Sequence, residues 1–393
     1  NMKIMKYIGL GLLPLVFSCG GRDRQVEEVL SLSGNNRNEL EAVLKHYEGD
    51  GRKLEAARFL IGNMPGSYGA NPIVEQDCSA FYEAYDSLGQ KYGYRVGTEW
   101  GKQVDSLWQN FSNRHRVRQE LNYDITRMKA EDLIREIDLA FRAWVENVHS
   151  RNCSFEDFCE YILAYRIEDE PLESWRRKYY DRYMPILDSL YQGTDVVEAA
   201  QKMADYLKTE GFAHYNDFSL PHLGPLFLLD SRVGYCRENC DIATYVMRAV
   251  GIPISMDFYE IAPSYNRKHF WSALIDTTHL VVPFNYEEEP MSRKPRPNER
   301  KRGKVYRICY GVQPERIKGI FEDKCVPPLF RHPFLKDVTN EYFPDSRVTV
   351  ELDKNFERRQ GILVYFFNRT ATGYCNNRGK GGIGQILTLW NRM

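Results

Sequence analysis

Gly251-Ile252-Pro253 stops a helix, and Cys236 begins it. Counting back from the stop, Val250, Met247, Ala243 and Cys240 recur at three- and four-residue steps to Cys236, the spacing of a helical face turned towards a core. A glycine just past the last periodic residue suits the left-handed C-terminal position, and a following proline forbids another turn. Gly234, two residues before the thiol, permits close approach of an incoming strand or loop. A cysteine in the first turn of a helix meets unpaired N–H groups and the positive end of the macrodipole, which favour its thiolate. Cys240, one turn deeper, reads as an inert core thiol. Periodicity alone fits two packing thiols equally well, so the residues downstream of the helix decide between them.

Short strand-like runs come next, at Ile254–Tyr259, His269–Ile275 and Leu280–Phe284. His269, at the head of the second, is placed to take a proton from the thiol or to pair with its thiolate. A thiol at a helix head and an imidazole on a following strand are the parts of a cysteine acyl-transfer site. His279 reads as an exposed turn residue; His214, His222 and Tyr215 could line a cleft, but read more readily as surface residues at the edge of this region.

The string Arg232-Val-Gly-Tyr-Cys236, then Arg248-Ala-Val-Gly-Ile-Pro253, then His269-Phe-Trp271 resembles the transglutaminase-like superfamily of papain-like cysteine enzymes, over roughly residues 228–290. The segment Arg58-Phe-Leu-Ile-Gly-Asn-Met-Pro65 is similar, more loosely, to secreted lipoproteins carrying this domain. The resemblance implies Cys236 as nucleophile, His269 as base, Gly234 in support and Trp271 packed beside the site or shielding the imidazole. The family's third member is usually an aspartate, and here two residues compete for the place. Asp276 reads as part of a turn, seven residues from His269, or about 23 Å along an extended strand. Asn285 lies on the returning strand near His269. An odd-numbered turn or a bulge at Pro283 would set Asn285 opposite His269, and an even one Tyr286. Asn285 is preferred, since a neutral amide can orient an imidazole.

The implied chemistry is thiolate attack on an amide carbonyl, an oxyanion held by N–H groups at the helix head, and protonation of the leaving amine by His269. Hydrolysis is the default for an exported enzyme surrounded by water, with transfer to an amine left open. The expected substrate is a protein, peptide or peptidoglycan-like amide. A catalytically inactive scaffold of the same fold, or a glycan- or protein-binding lipoprotein, is the alternative.

The N-terminus bears on location. Lys3 and Lys6 precede the apolar run Ile8–Phe17, too short to span a bilayer. Its Val16-Phe17-Ser18-Cys19 end resembles a bacterial lipobox, which implies a lipid anchor at Cys19 and an outer-membrane address in the cell envelope. In an oxidising compartment disulfides persist, but eight cysteines besides Cys19, one of them a working nucleophile, leave at least one other unpaired. No Cys-x-x-Cys pair and no Gly-rich phosphate loop occurs, so neither metal nor cofactor is expected. A net charge of −1 argues against a nucleic-acid partner.

At 393 residues the chain is too long for one ordinary core. The pattern predicts an α+β protein: a signal segment over 1–18, a helical domain over 19–220, a transglutaminase-like core over 221–290, and a linker with a C-terminal β segment over 291–393, readable as an incomplete β-sandwich. Asn38 and Ser154 are the expected N-caps of two of the helices. If Cys19 carries the anchor, cells fed labelled palmitate will label the wild-type chain and not Cys19→Ser. Equal labelling of the two would remove the anchor.

Overall fold

The computed structural model describes residues 19–70, 72–92, 98–112, 121–214, 222–262, 268–287, 290–294, 303–313, 329 and 332–343. The signal segment expected over 1–18 and the part of the expected C-terminal β segment from residue 344 on lie outside these residues. The described chain is α+β, 56% helical and 13% strand. Its helices are α1 (Cys19–Leu32), α2 (Arg37–His46), α3 (Gly51–Gly62), α4 (Pro72–Tyr92), α5 (Thr98–Ser112), α6 (Ala130–Glu146), α7 (Arg176–Leu190), α8 (Val196–Glu210), α9 (Pro225–Asp230), α10 (Cys236–Ala249) and α11 (Thr339–Tyr342). Strands β1 (Tyr68–Ala70) and β2 (Leu121–Tyr123) form an antiparallel pair, and β3 (Ala213–His214) and β4 (Val233–Gly234) a parallel one. The main sheet is antiparallel throughout, in the order β7 (Val281–Phe284), β6 (His269–Ile275), β5 (Ile254–Tyr259), β8 (Val305–Ile308), β9 (Leu335–Asp337).

Two large apolar cores organise the described residues, with a smaller third on the far face of the main sheet. One joins α1, α2, α3 and α6 to the Phe158–Leu163 segment. The other packs α4, α5, α7 and α8 on α10 and on the near face of the main sheet. Residues on both sides of position 220 share this second core. β8 belongs to the same sheet as β5, rather than to a separate C-terminal β element. One interaction that holds it there is long-range: Arg307 makes two 2.8 Å bonds to Asp257 on the neighbouring strand, both side chains buried, the bidentate geometry that fixes a pair as well as attracting it.

Helix α10 runs through the middle of this arrangement, with every residue from Glu238 to Ala249 buried. A buried helix must satisfy its terminal carbonyls with side chains. Asn147 donates to the Val250 carbonyl at 3.1 Å, His149 Nε2 lies 3.0 Å from the same oxygen, and Ser150 donates to the Gly251 carbonyl at 2.6 Å. Burial holds His149 below the ordinary histidine range, so it serves as a neutral N–H donor. Gly251 has φ 82°, the left-handed conformation its place in the sequence predicts.

One of the two expected caps turns out differently. The helix expected to start at Asn38 starts at Arg37, and its N-cap residue Asn36 donates instead to the carbonyls of Ile125 and Met128, at 3.2 and 2.9 Å. Ser154 does cap the next turn, accepting from the Asp157 N–H at 3.1 Å, but the helix then widens to a π turn over Phe158–Leu163. Its exit carbonyls are taken by two buried arginines. Arg176 bonds Leu163 O and Ala164 O at 3.0 and 3.3 Å, and Arg248 bonds Ala164 O at 3.0 Å. No helix among the described residues is long and apolar enough to cross a membrane.

A Cβ on Gly251 would lie 2.4 Å from the Ala143 carbonyl, a clash added to the cost of a left-handed φ. Gly251→Ala is expected to lose about 2–4 kcal/mol in urea unfolding. Gly101→Ala in α5, where a Cβ meets nothing within 4 Å, should be neutral or gain up to about 1 kcal/mol. Equal effects at the two positions would contradict the tight closure of α10.

Candidate active site

Cys236 is the first residue of α10, delivered by β4 through Tyr235. Gly234 has φ 149°, and a Cβ there would sit 2.4 Å from Glu238 Cβ, so the strand can meet the first turn only through glycine. Glu238 Oε2 accepts the Tyr235 N–H at 2.9 Å, tying the entry to the helix. Arg237 braces the same carboxylate at 2.7 and 3.1 Å.

The thiol is half-buried and not in a disulfide. Burial pushes its pKa up, against the backbone N–H groups of Phe270, Arg237 and Cys236, which favour the thiolate. The helix head thus does not leave a standing thiolate, contrary to the sequence expectation: loss of water outweighs the peptide dipoles. Cys236 needs a base to lose its proton. Cys240 is fully buried, and burial drives its pKa well up, which makes it the core thiol that its spacing predicts.

From β6, the group that faces the sulfur is the Phe270 N–H. His269 is the preceding residue, half-buried, paired with Tyr259 across β5 and 6.0 Å from the Trp271 ring between centroids. Strand alternation sets Phe270 into the core with α10 and turns Trp271 to the other face. There Trp271 packs against Tyr259 and donates to Tyr342 Oη at 2.9 Å, so it stacks on the far side of the sheet from α10.

The hairpin after β6 has its turn at Asp276, whose carbonyl accepts the His279 N–H at 2.8 Å. Asp276 is held ionised by Arg293: burial raises its pKa, but the guanidinium and the turn N–H groups lower it further. It stands at the far end of β6 from His269. His279 takes a left-handed φ of 61° and is exposed, 2.9 Å from Asp157. The β6–β7 ladder pairs Ser272 with Phe284, and the next step of that register sets Asn285 against Trp271. Asn285 Oδ1 accepts the Glu287 N–H at 2.9 Å, closing a turn after β7.

That turn presents a residue the sequence does not single out. Glu287 Oε2 lies 2.6 Å from His214 Nε2 and accepts from Asn239 Nδ2 at 2.7 Å. His214 belongs to β3 and pairs with Gly234. Asn239 is one turn along α10 from Cys236. Three separate segments therefore meet at one carboxylate. Their sequence separations, 73 and 48 residues, hide them from any local pattern.

Behind the helix head lies a second cluster. His222, expected at the surface, is wholly buried, with Nδ1 2.9 Å from Asp169 and Nε2 2.7 Å from Asp241. Both contacts favour the imidazolium, whose two N–H groups can donate to ionised carboxylates. Burial and Arg237 oppose the imidazolium, but Asp241 and Asp169 prevail and raise it to about 10. Burial raises Asp241 to about 7 despite that partner. Ligand atoms of His222, Glu238 and Asp241 lie within 4.8 Å of one another, a spacing a metal could use. Here both His222 nitrogens and both Glu238 oxygens are engaged and Arg237 already supplies a cation, so the group fits an ion network better than a metal site, although Asp241 Oδ1 is buried without a hydrogen-bond partner.

The raised His222 fixes a sign. Its stabilising contribution is complete below about pH 6.5, the unfolded value, and is lost as pH climbs through about 10. Denaturant unfolding between pH 6 and 10 should show wild-type stability falling across that window, with a flatter profile in His222→Gln. Parallel profiles would mean that His222 is neutral in the folded state.

No protein-family model, curated protein or solved structure matches the chain, so its chemistry is read from its own residues.

Proposed function

We propose that the chain is an exported cysteine enzyme acting on amide bonds through a thioester at Cys236, of the transglutaminase-like kind its motifs resemble. The observation that supports this best is the sulfur's setting: a half-buried thiol at the head of a buried helix, with three backbone N–H groups turned to it. N–H groups gathered there can hold an oxyanion as well as a thiolate.

In this reading the base is His269, whose ring shares the Trp271 face of β6 and reaches the sulfur past the backbone of Phe270, whose N–H meets it. It takes the Sγ proton as the sulfur attacks the amide carbon, because burial keeps the resting thiol protonated. The Cys236 N–H stabilises the tetrahedral oxyanion. The C–N bond then breaks, and the His269 imidazolium returns its proton to the departing amine. Water resolves the thioester by default, and an amine in its place would make the product a cross-link. Asn285, given its bond to the Glu287 N–H, acts by shaping the turn beside the site. Protein, peptide or peptidoglycan-like amides at a cell envelope, reached from a lipid anchor at Cys19, are the substrates this reading expects.

A second reading, a silent scaffold that keeps the helix and sheet, is favoured by the upward shift of the Cys236 thiol. Iodoacetamide separates the two. With alkylation at Cys236 followed by peptide mass spectrometry from pH 6 to 10, the enzyme reading expects labelling at pH 7 that drops at least about tenfold in His269→Ala. Labelling that stays slow until alkaline pH and ignores His269 would leave the scaffold.

A further inference from the structure

We propose that His214, oriented by Glu287, is a second catalytic imidazole that activates the water resolving the Cys236 thioester. This rests on the cysteine-enzyme reading above and assigns that enzyme's second step. A single carboxylate oxygen, Glu287 Oε2, reaches both His214 Nε2 at 2.6 Å and Asn239 Nδ2 at 2.7 Å. Asn239 follows Cys236 by three residues on α10, so the two side chains share a face of the helix. His214 pairs with Gly234 in the strand that leads into Cys236. The dyad is thus fastened to the thiol's surroundings from the strand before it and from the helix after it.

The contact sets the ring's orientation. A carboxylate accepts, so Nε2 donates to it and Nδ1 is left on the far side of the ring. The side chain is 43% exposed, and Nδ1 has no hydrogen-bond partner among the described residues. The arrangement is that of a base oriented by a carboxylate on its far side, open to solvent where water must enter. His269 sits on a different strand, so leaving-group protonation and water activation fall to different imidazoles.

The step balances without a further reactant. Water oxygen bonds the thioester carbon as its proton passes to His214 Nδ1. The C–S bond then breaks, the acid departs, and the sulfur recovers the proton.

The test uses p-nitrophenyl acetate on the full chain, with nitrophenol release followed by absorbance and acetyl-Cys236 by intact mass. Wild type should show acylation and turnover. In His214→Ala the acylation burst should stay within a few-fold of wild type while deacylation slows at least about 100-fold, so that acetyl-Cys236 accumulates. Glu287→Gln, which keeps the imidazole, should slow deacylation less and alter its pH profile. Deacylation at wild-type rate in both variants overturns this assignment and leaves the cysteine-enzyme reading standing. Failure of wild-type Cys236 to take any acetyl group overturns both. Circular dichroism melts of the variants distinguish a lost step from a lost fold.

Discussion

Arg176 and Arg248 spend their guanidinium groups largely on backbone carbonyls, and the interior depends on that clamp. Both reach Ala164 O, where the π turn ends, and Arg176 also bonds the carbonyl of Arg248 at 3.1 Å. Glu136 balances Arg176 at 2.8 Å. Arg248 lacks such a close carboxylate, so burial and the neighbouring Arg176 lower it to about 10. Its Nε is buried without a hydrogen-bond partner. A buried charge without full compensation is expensive, and the fold accepts it where α6, α7, the π turn and the last turn of α10 converge. With its C-terminal end held there and by Asn147, His149 and Ser150, α10 has little freedom to shift, and its head can be placed against β6.

The head of α10 is built on the same principle, with charge closing on charge. His222, Asp169, Asp241, Arg237 and Glu238 form a network behind the first turn, while Cys236, Asn239 and Glu287 face the other way. The network sets the position of the helix head. Burial sets the reactivity of the thiol, and it sets it low at rest. If Cys236 is the nucleophile proposed above, a protonated thiol amid N–H donors works only when a base engages it, which directs attention to the imidazoles rather than to the helix dipole.

Helix α10 is legible in the sequence because its information is local: an apolar period, a glycine where φ is positive, a proline after it. Strands β5 and β6 are legible to the residue and β7 to within one, for the same reason. The placement of β8 on β5 is not, since it depends on Arg307 meeting Asp257 fifty residues away. At the site, Cys236 and the inert Cys240 are legible, and Asp276 does lie in the turn its sequence suggests. The dyad of His214 and Glu287 and the burial of His222 are not, because their partners come from other segments. Asn285 shows the limit of counting along a hairpin. Its place depends on a register that only the paired strands define, and that register runs it towards Trp271.

The central claim is that the thiol at the head of α10 becomes an acyl carrier. The direct measurement is to incubate the full chain with a peptide digest of cell-envelope protein, trap at low pH, and map covalent adducts. The account predicts an adduct confined to Cys236, released by neutral hydroxylamine as thioesters are, and absent from Cys236→Ala. Finding no adduct at Cys236, or one that resists hydroxylamine, would contradict it.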